Sequence, residues 1–267
     1  MFRSDVLQSD DLLAIRAASR RNSEMLRNPF LIALLLSLLP IFGYAQNDAY
    51  ALQRILQRYA EAYGGFRDAD VISSLSVEGS IEQDGQTFEF QMRKKRPHSL
   101  RYRLSNGLNS VITGYNGSSG WMRIETNGEI SITSLDSVAT GKLCDQARFD
   151  SPLFSYLEKG ENDVELLERA TLDQRSVYVI QVRELGSEIN HYYLDAITAH
   201  VIRHDQLDAK GAIRFQTLYR DYREIEGYPF AYEIETRVDG VTTSLAKVHR
   251  IAVNLGLLSF YFEKPRR

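Results

Sequence analysis

Histidines, cysteines, acid–base pairs and glycine-rich loops are the residue sets most apt to do chemistry, and here each occurs in a pattern that argues against it. His200 and His204 stand four apart, a spacing that on a helix would present two imidazoles to one metal ion. They lie instead in an alternating stretch around Val201 to Leu207, where four residues extend over about 13 Å and two strand histidines share a face without sharing an ion. His191 with Asp195 reads as a surface pair, and His98 and His249 have no candidate partner. The run Gly114 to Gly120 (GYNGSSG) lacks the lysine and the following helix of a phosphate loop, so a turn between strands explains it. Cys144 is the sole cysteine; it excludes an internal disulfide and reads as a small buried hydrophobe. The sequence contains no Gly-x-Ser-x-Gly elbow, His-Glu-x-x-His or Cys-x-x-Cys, the sets that would announce a hydrolase, a zinc protease or a redox pair. No catalytic residue, metal ligand or cofactor is expected, and the chain is not read as an enzyme.

One charged feature remains. Arg93 to Arg96 (RKKR), closed by Pro97, is the dense basic run. It is either a solvated strand end or a dock for anionic headgroups or an acidic partner. No aromatic residues are threaded through it as a stacking platform for single-stranded nucleic acid, and a net charge of -3 gives no reason to expect nucleic acid as a partner.

The elements that would position these residues are mostly strands. Leu52, Ile55, Leu56, Tyr59 and Tyr63 recur on one helical stripe that Asn47 or Asp48 can cap and that Gly64 and Gly65 end. After that the period becomes two. Leu75, Val77, Gly79 and Ile81 alternate with polar residues, then Phe88, Phe90 and Met92, then Leu100, Tyr102 and Leu104. Asp84-Gly85, Asn106-Gly107, Asn116-Gly117 and Asn127-Gly128 punctuate them as turns, and Asp239-Gly240 links the last two strands, the signature of an antiparallel meander. Between two runs of strands, Cys144 to Lys159 carries Phe149, Leu153, Phe154 and Leu157 at helical spacing, with Asp150 or Ser151 as cap, Pro152 in the first turn and Gly160 as stop. Ten or eleven strands and two helices are expected, in one continuous sheet. A sheet that long must curl, and with two helices to cover it, its concave face leaves an apolar hollow.

The N-terminal region has a separate reading. Phe30 to Phe42 is an apolar run of 13 residues preceded by Arg27 and followed by Gly43-Tyr44-Ala45. It is short of the roughly 20 residues that span a bilayer, and suits a signal peptide cut after Ala45. Met25 is the expected start, with the mixed-charge stretch before it an extension or a misassigned beginning. The expected organisation is thus 1–45 as leader and 46–267 as one mature domain, exported to the periplasm.

The residues also carry a resemblance. His191 to Asp195 (HYYLD) with Thr198 and Arg203, then Asp221-Tyr222-Arg223 through Gly227-Tyr228-Pro229-Phe230, resemble the LolA-like outer-membrane lipoprotein-sorting proteins. So do Lys95-Arg96-Pro97 followed by Arg101-Tyr102, Tyr115 to Trp121 (YNGSSGW), Phe149 to Leu153 with Gly160, and Asn254 with Phe262 to Pro265 as a closing strand. Pro229 stands a residue or two earlier than in many relatives. The resemblance implies an incomplete, strongly curved antiparallel β-barrel covered by one or two amphipathic helices. It implies a periplasmic monomer that binds the acyl chains of a lipid or lipoprotein in an apolar cavity, passing them toward the outer membrane between envelope donor and acceptor proteins. The residues expected to line that cavity are Phe88, Phe90, Met92, Leu100, Tyr102, Trp121, Tyr178, Ile180, Tyr192 and Leu194 from the sheet and Leu153, Phe154 and Leu157 from the inserted helix, with Arg96 at the rim. The rival is a sensor of the same fold that regulates an envelope partner without transport.

Overall fold

The computed structural model describes residues 50–64, 72–107, 109–149, 151–159, 163–183 and 189–266. The expected leader with its cut after Ala45, the start at Met25, the Asn47 or Asp48 cap, the Gly65 stop, the Asp150 cap and the Gly160 stop lie outside the described residues. Leu52–Arg267 forms one compact unit, and the description below is of that unit.

Its first element is the helix α1, residues 50–62. Six strands follow: β1 (Ser74–Gln83), β2 (Gln86–Lys95), β3 (Ser99–Asn106), β4 (Asn109–Tyr115), β5 (Gly120–Thr126) and β6 (Glu129–Ser134). Two helices come next, α2 (Ser137–Ala147) and α3 (Pro152–Lys159). Seven strands complete the sheet: β7 (Asp163–Leu172), β8 (Arg175–Arg183), β9 (Ile189–Asp195), β10 (Val201–Leu207), β11 (Ile213–Ile225), β12 (Tyr228–Val238) and β13 (Val241–Val253). Among the described residues thirteen strands form where ten or eleven were expected.

All thirteen lie in one antiparallel sheet ordered β6-β5-β4-β3-β2-β1-β13-β12-β11-β10-β9-β8-β7. The first six run outward from the centre as a meander and the last seven return from the other edge. Only β1 with β13 joins strands distant in sequence, Leu75 opposite Val253 and Ile81 opposite Ala246. Strands β6 and β7 are the two ends of this order, so the curved sheet is an incomplete barrel, as expected. Tight turns drive the meander. Asp84-Gly85 and Asn127-Gly128 have φ of 51° and 71°, and 51° and 86°, the left-handed pair that a two-residue hairpin matching the strand twist requires. Asp173-Gln174 makes the same turn without glycine, at 47° and 64°, so the sequence carries no signal for it.

Two expectations need correction. The single helix expected over Cys144 to Lys159 is two helices. Arg148 is extended (ψ 139°), and the residue before Pro152 is pushed away from helical backbone by the proline ring, so the chain breaks and restarts. The first of the pair begins earlier, at an Asp136 cap whose side chain accepts from the Ala139 N–H at 2.8 Å. The closing strand expected to end at Phe262 to Pro265 is also absent: after Val253 the chain leaves the sheet and forms a single 3-10 turn, Ser259–Phe262.

The register assigns every strand residue to one of two faces. One carries all three helices and is called inner here; the other is outer. The outer face mixes buried apolar residues such as Val177 and Val179 with ion pairs. Arg203 grips the fully buried Asp205 carboxylate at 2.6 Å, and the Gln216 amide donates to the same group at 3.2 Å. Across β11 and β12, Arg237 (2.6 Å) and Arg220 (2.9 Å) converge on Glu235. The hydrogen bonds from Arg237 and Thr242 hold the Glu235 carboxyl down to about 2, far below the usual carboxylate range.

Candidate functional site

The inner face divides into three bays. At one side, Leu52, Ile55, Leu56, Tyr59 and Ala60 of α1 and Leu153 and Phe154 of α3 pack on Val164, Ile180, Val182, Tyr192 and Leu194 of β7, β8 and β9. The stripe read from the sequence is the buried side of α1. At the other side, Leu143 and Ala147 of α2 cover Leu100 and Tyr115 of β3 and β4. Between them, Val77, Val248, Ile251 and Tyr232 form a third cluster, against which Leu75, Phe90, Met92, Ile225 and Phe230 are partly buried. Among the described residues, none from a helix joins that central cluster.

The expected lining residues fall into three groups. Phe88, Phe90, Met92 and Tyr102 lie on the inner face of β2 and β3 and are half-buried, the register pairing Met92 with Tyr102 and Val77. The Phe90 ring packs against Gly79, where a Cβ would come within 2.8 Å of it, and stacks at 6.2 Å on Tyr102. Phe88, Phe90 and Tyr102 face the central bay, and Met92 stands at its border, packed also against the cluster that α2 covers. Leu153, Ile180 and Leu194 are fully buried, Phe154 and Tyr192 nearly so, and Tyr178 and Leu157 pack against the same cluster, while Leu100 is buried in the cluster beneath α2. They are inner-face residues, but the helices fill the space above them. Trp121 is on the outer face. Its neighbour Met122 takes the inner position opposite Thr113, while the indole lies over Gly114 and donates to the Phe262 carbonyl at 2.8 Å. Trp121 therefore seals the C-terminal segment against the back of the sheet and does not reach the hollow.

Arg96 sits in the β2–β3 turn. Its Nε donates to the Ile72 carbonyl at 3.0 Å and its guanidinium lies 4.8 Å from the Phe149 ring centre. The rest of the basic run is split by the alternation. Arg93 and Lys95 face outward, and Lys94 faces inward, in line with Leu75 and Leu100. Its ammonium donates to the Arg148 carbonyl at the end of α2 at 3.1 Å, a favourable place for a cation. Burial nevertheless pulls Lys94 down to about 8.

Of the histidines, His204 is the strand residue expected, whereas His200 stands just before β10 and His249, for which no partner was expected, meets the Ser80 hydroxyl at 3.3 Å. His204 stacks on Tyr192 at 4.4 Å and contacts the Asn190 amide oxygen at 2.9 Å; burial lowers it to about 4. His200 lies against Tyr222 and Tyr63. His191 and Asp195 do not pair: His191 meets Gln181 at 3.3 Å, and Asp195 accepts the backbone N–H groups of Ile197 and Thr198, capping its own turn.

The sequence reading missed a second feature. Pairing of β10 with β11 stops at Arg203 opposite Leu218, and the strands part. A cavity of about 580 Å³ opens there, with Ile202, Leu218, Tyr219, Tyr222, His200 and Arg175 in its wall. The Tyr222 hydroxyl bridges the gap by donating to the Val201 carbonyl at 2.5 Å. Burial raises Tyr219 to about 12 and also lifts Tyr222 and Tyr59 well above the ordinary range, so these hydroxyls stay protonated and act as fixed polar contacts. A non-local strand separation leaves no mark in local sequence. Among the described residues no group of three or more His, Cys, Asp or Glu side chains is placed to hold a metal.

No family model matches the chain, and no curated protein matches it. Solved structures do match. A DUF1329 family protein from Desulfovibrio piger superposes with TM-score 0.57 at 13% identity, over 81% of this chain and 97% of that one. A candidate outer membrane lipoprotein-sorting protein domain from Vibrio parahaemolyticus gives 0.55 at 10% identity, over 79% and 96%. A LolA superfamily protein from Nitrosomonas europaea gives 0.52 at 14% identity, over 79% and 97%. The fold is LolA-like.

Proposed function

We propose that this chain is a periplasmic, non-enzymatic carrier that holds the acyl chain of a lipid or lipoprotein against the central bay of its inner face. The observation that carries the reading is the run of half-buried apolar side chains, Phe88, Phe90, Met92 and Tyr102, between two bays that the helices fill. An apolar surface flanked by completed packing is where an alkyl chain gains most. Each buried CH₂ contributes about 0.8 kcal/mol, so a 16-carbon tail contributes roughly 12 kcal/mol with no catalytic group present. A bay open along one side leaves part of that chain wet, which lowers the net affinity and makes release to an acceptor feasible. The likeness in fold to a candidate lipoprotein-sorting domain supports a lipidated cargo.

The test is organic extraction of the exported protein, purified without detergent, followed by mass spectrometry. Copurified phospholipid or lipopeptide, lost on Phe90→Asp substitution, is the expected result. Clean extracts from several preparations would overturn the carrier and favour a module of this fold that regulates an envelope partner.

A further inference from the structure

The C-terminal segment sorts its apolar side chains in a way that packing alone does not explain. Phe262 is fully buried, under Trp121. Tyr261 is held by cations: the Arg93 guanidinium donates to its hydroxyl at 2.5 Å, and Arg101 donates to its carbonyl at 3.1 Å and covers its ring at 4.4 Å. The backbone before them is tied down, Ser73 donating to the Asn254 side chain and the Leu255 N–H to the Ser74 hydroxyl, both at 2.8 Å. Yet from this fixed frame Leu255, Leu258 and Phe260 project into solvent, 46%, 63% and 72% exposed. Three large apolar side chains within six residues, on an anchored turn, form a presented patch rather than a frayed end.

Its surroundings name the partner. Lys95 donates to Ser259 at 3.0 Å, Arg93 and Arg101 lie under Tyr261, and Lys264 and Arg266 follow in the chain. Against these five cations stand Glu263 in the segment and Glu78 beside Arg93. In a chain of net charge -3, basic side chains outnumber acidic ones around the apolar projection. Aromatic and leucine side chains ringed by basic ones are what the interface of an anionic bilayer accepts: the apolar groups enter the headgroup boundary and the cations meet the lipid phosphates.

We infer that residues 255–264 are a docking element for an anionic membrane surface, with Leu258 and Phe260 as the inserted residues and Lys95 and Lys264 as the headgroup contacts. This goes beyond cargo binding and does not depend on it, since the element lies behind the sheet and its test reads vesicle association whether or not the inner face holds a lipid.

The experiment is flotation of the full chain with vesicles of phosphatidylcholine plus phosphatidylglycerol, and with vesicles of phosphatidylcholine alone. Binding is expected on the first and weak on the second, falling as salt is raised and the Debye length drops below about 10 Å. Leu258→Ser with Phe260→Ser lowers partitioning at least about tenfold, as loss of a buried Leu and Phe requires; Lys95→Gln with Lys264→Gln lowers it on the anionic vesicles only. Ile197→Ser, which removes a side chain 85% exposed elsewhere, leaves it unchanged. All variants share the N-terminal region, so differences between them read the C-terminal segment. In a second readout, Phe260→Trp shifts to the blue on adding anionic vesicles. Equal binding to both vesicle types, flotation of the Leu258 and Phe260 double variant like the parent, or loss on Ile197→Ser would each overturn the inference.

Discussion

Replacing Phe90 by alanine separates a ligand wall from an ordinary core. A phenylalanine carries about 150–250 Å² of apolar surface. Phe90 is largely buried by Gly79, Tyr102 and its cluster, which leaves about 50 Å² for a ligand, worth about 1 kcal/mol or about a fivefold change in Kd. The same truncation removes only part of a core contact, so the folded state loses about 1–2 kcal/mol. Leu100 provides the contrast. It is fully buried beneath α2, and Leu100→Ala costs about 2–5 kcal/mol of stability through the void it leaves, with little effect on affinity at temperatures where the variant stays folded. Displacement of a fluorescent fatty acid reads the affinities, and urea unfolding of the lipid-free proteins reads the stabilities. If Phe90→Ala binds the probe like the parent while losing as much stability as Leu100→Ala, the bay is packed core and the reasoning fails.

Three further outcomes follow from the polar contacts. Arg203→Leu leaves the buried Asp205 carboxylate with Gln216 but no counter-charge and destabilises by about 3–5 kcal/mol; adding Asp205→Leu recovers much of it, which a double-mutant cycle of unfolding free energies checks. His204 is held neutral by burial, its folded pKa near 4 lying below the ordinary 6.5 or so of the unfolded chain. Its contribution is therefore complete above about pH 6.5 and is lost as pH falls toward 4, whereas that of Glu235, near 2 when folded, is lost from about pH 4.5 downward; burial also lowers His191 and His200, so Tm against pH for His204→Gln should show a smaller upper step and keep the lower. Phe262→Ala should cost about 3–5 kcal/mol and, because Trp121 is the single tryptophan, shift the intrinsic fluorescence to the red as water reaches the indole; an unchanged spectrum would contradict the packing.

Much of this architecture was written locally. Alternation of apolar and polar residues in Leu75 to Ile81 and Phe88 to Met92, with Asp-Gly and Asn-Gly between such runs, is enough to specify strands joined by hairpins, because backbone pleat and left-handed turn geometry act over two to four residues. The stripe of α1 and the place of Pro152 in a helical first turn were equally plain. The helix α2 was not: its residues SVATGKLCDQA include Gly141 and no strong apolar stripe, and it exists because Asp136 caps it and Leu143 and Ala147 find Leu100 and Tyr115.

Which face each residue takes is a different kind of question. In GWMRIET both Trp121 and Met122 are apolar, so their alternation reads equally well in either register, and only pairing across five neighbouring strands to β1 puts Met122 inside and Trp121 behind. The closure of β1 on β13, the parting of β10 from β11, and the division of the inner face into filled bays and an open one likewise join residues more than ten, and in the first case more than 150, positions apart. Local sequence determined the strands and their turns because those forces are short in range. The site depends on where helices run out of surface to cover, and that is settled only when the whole sheet is assembled.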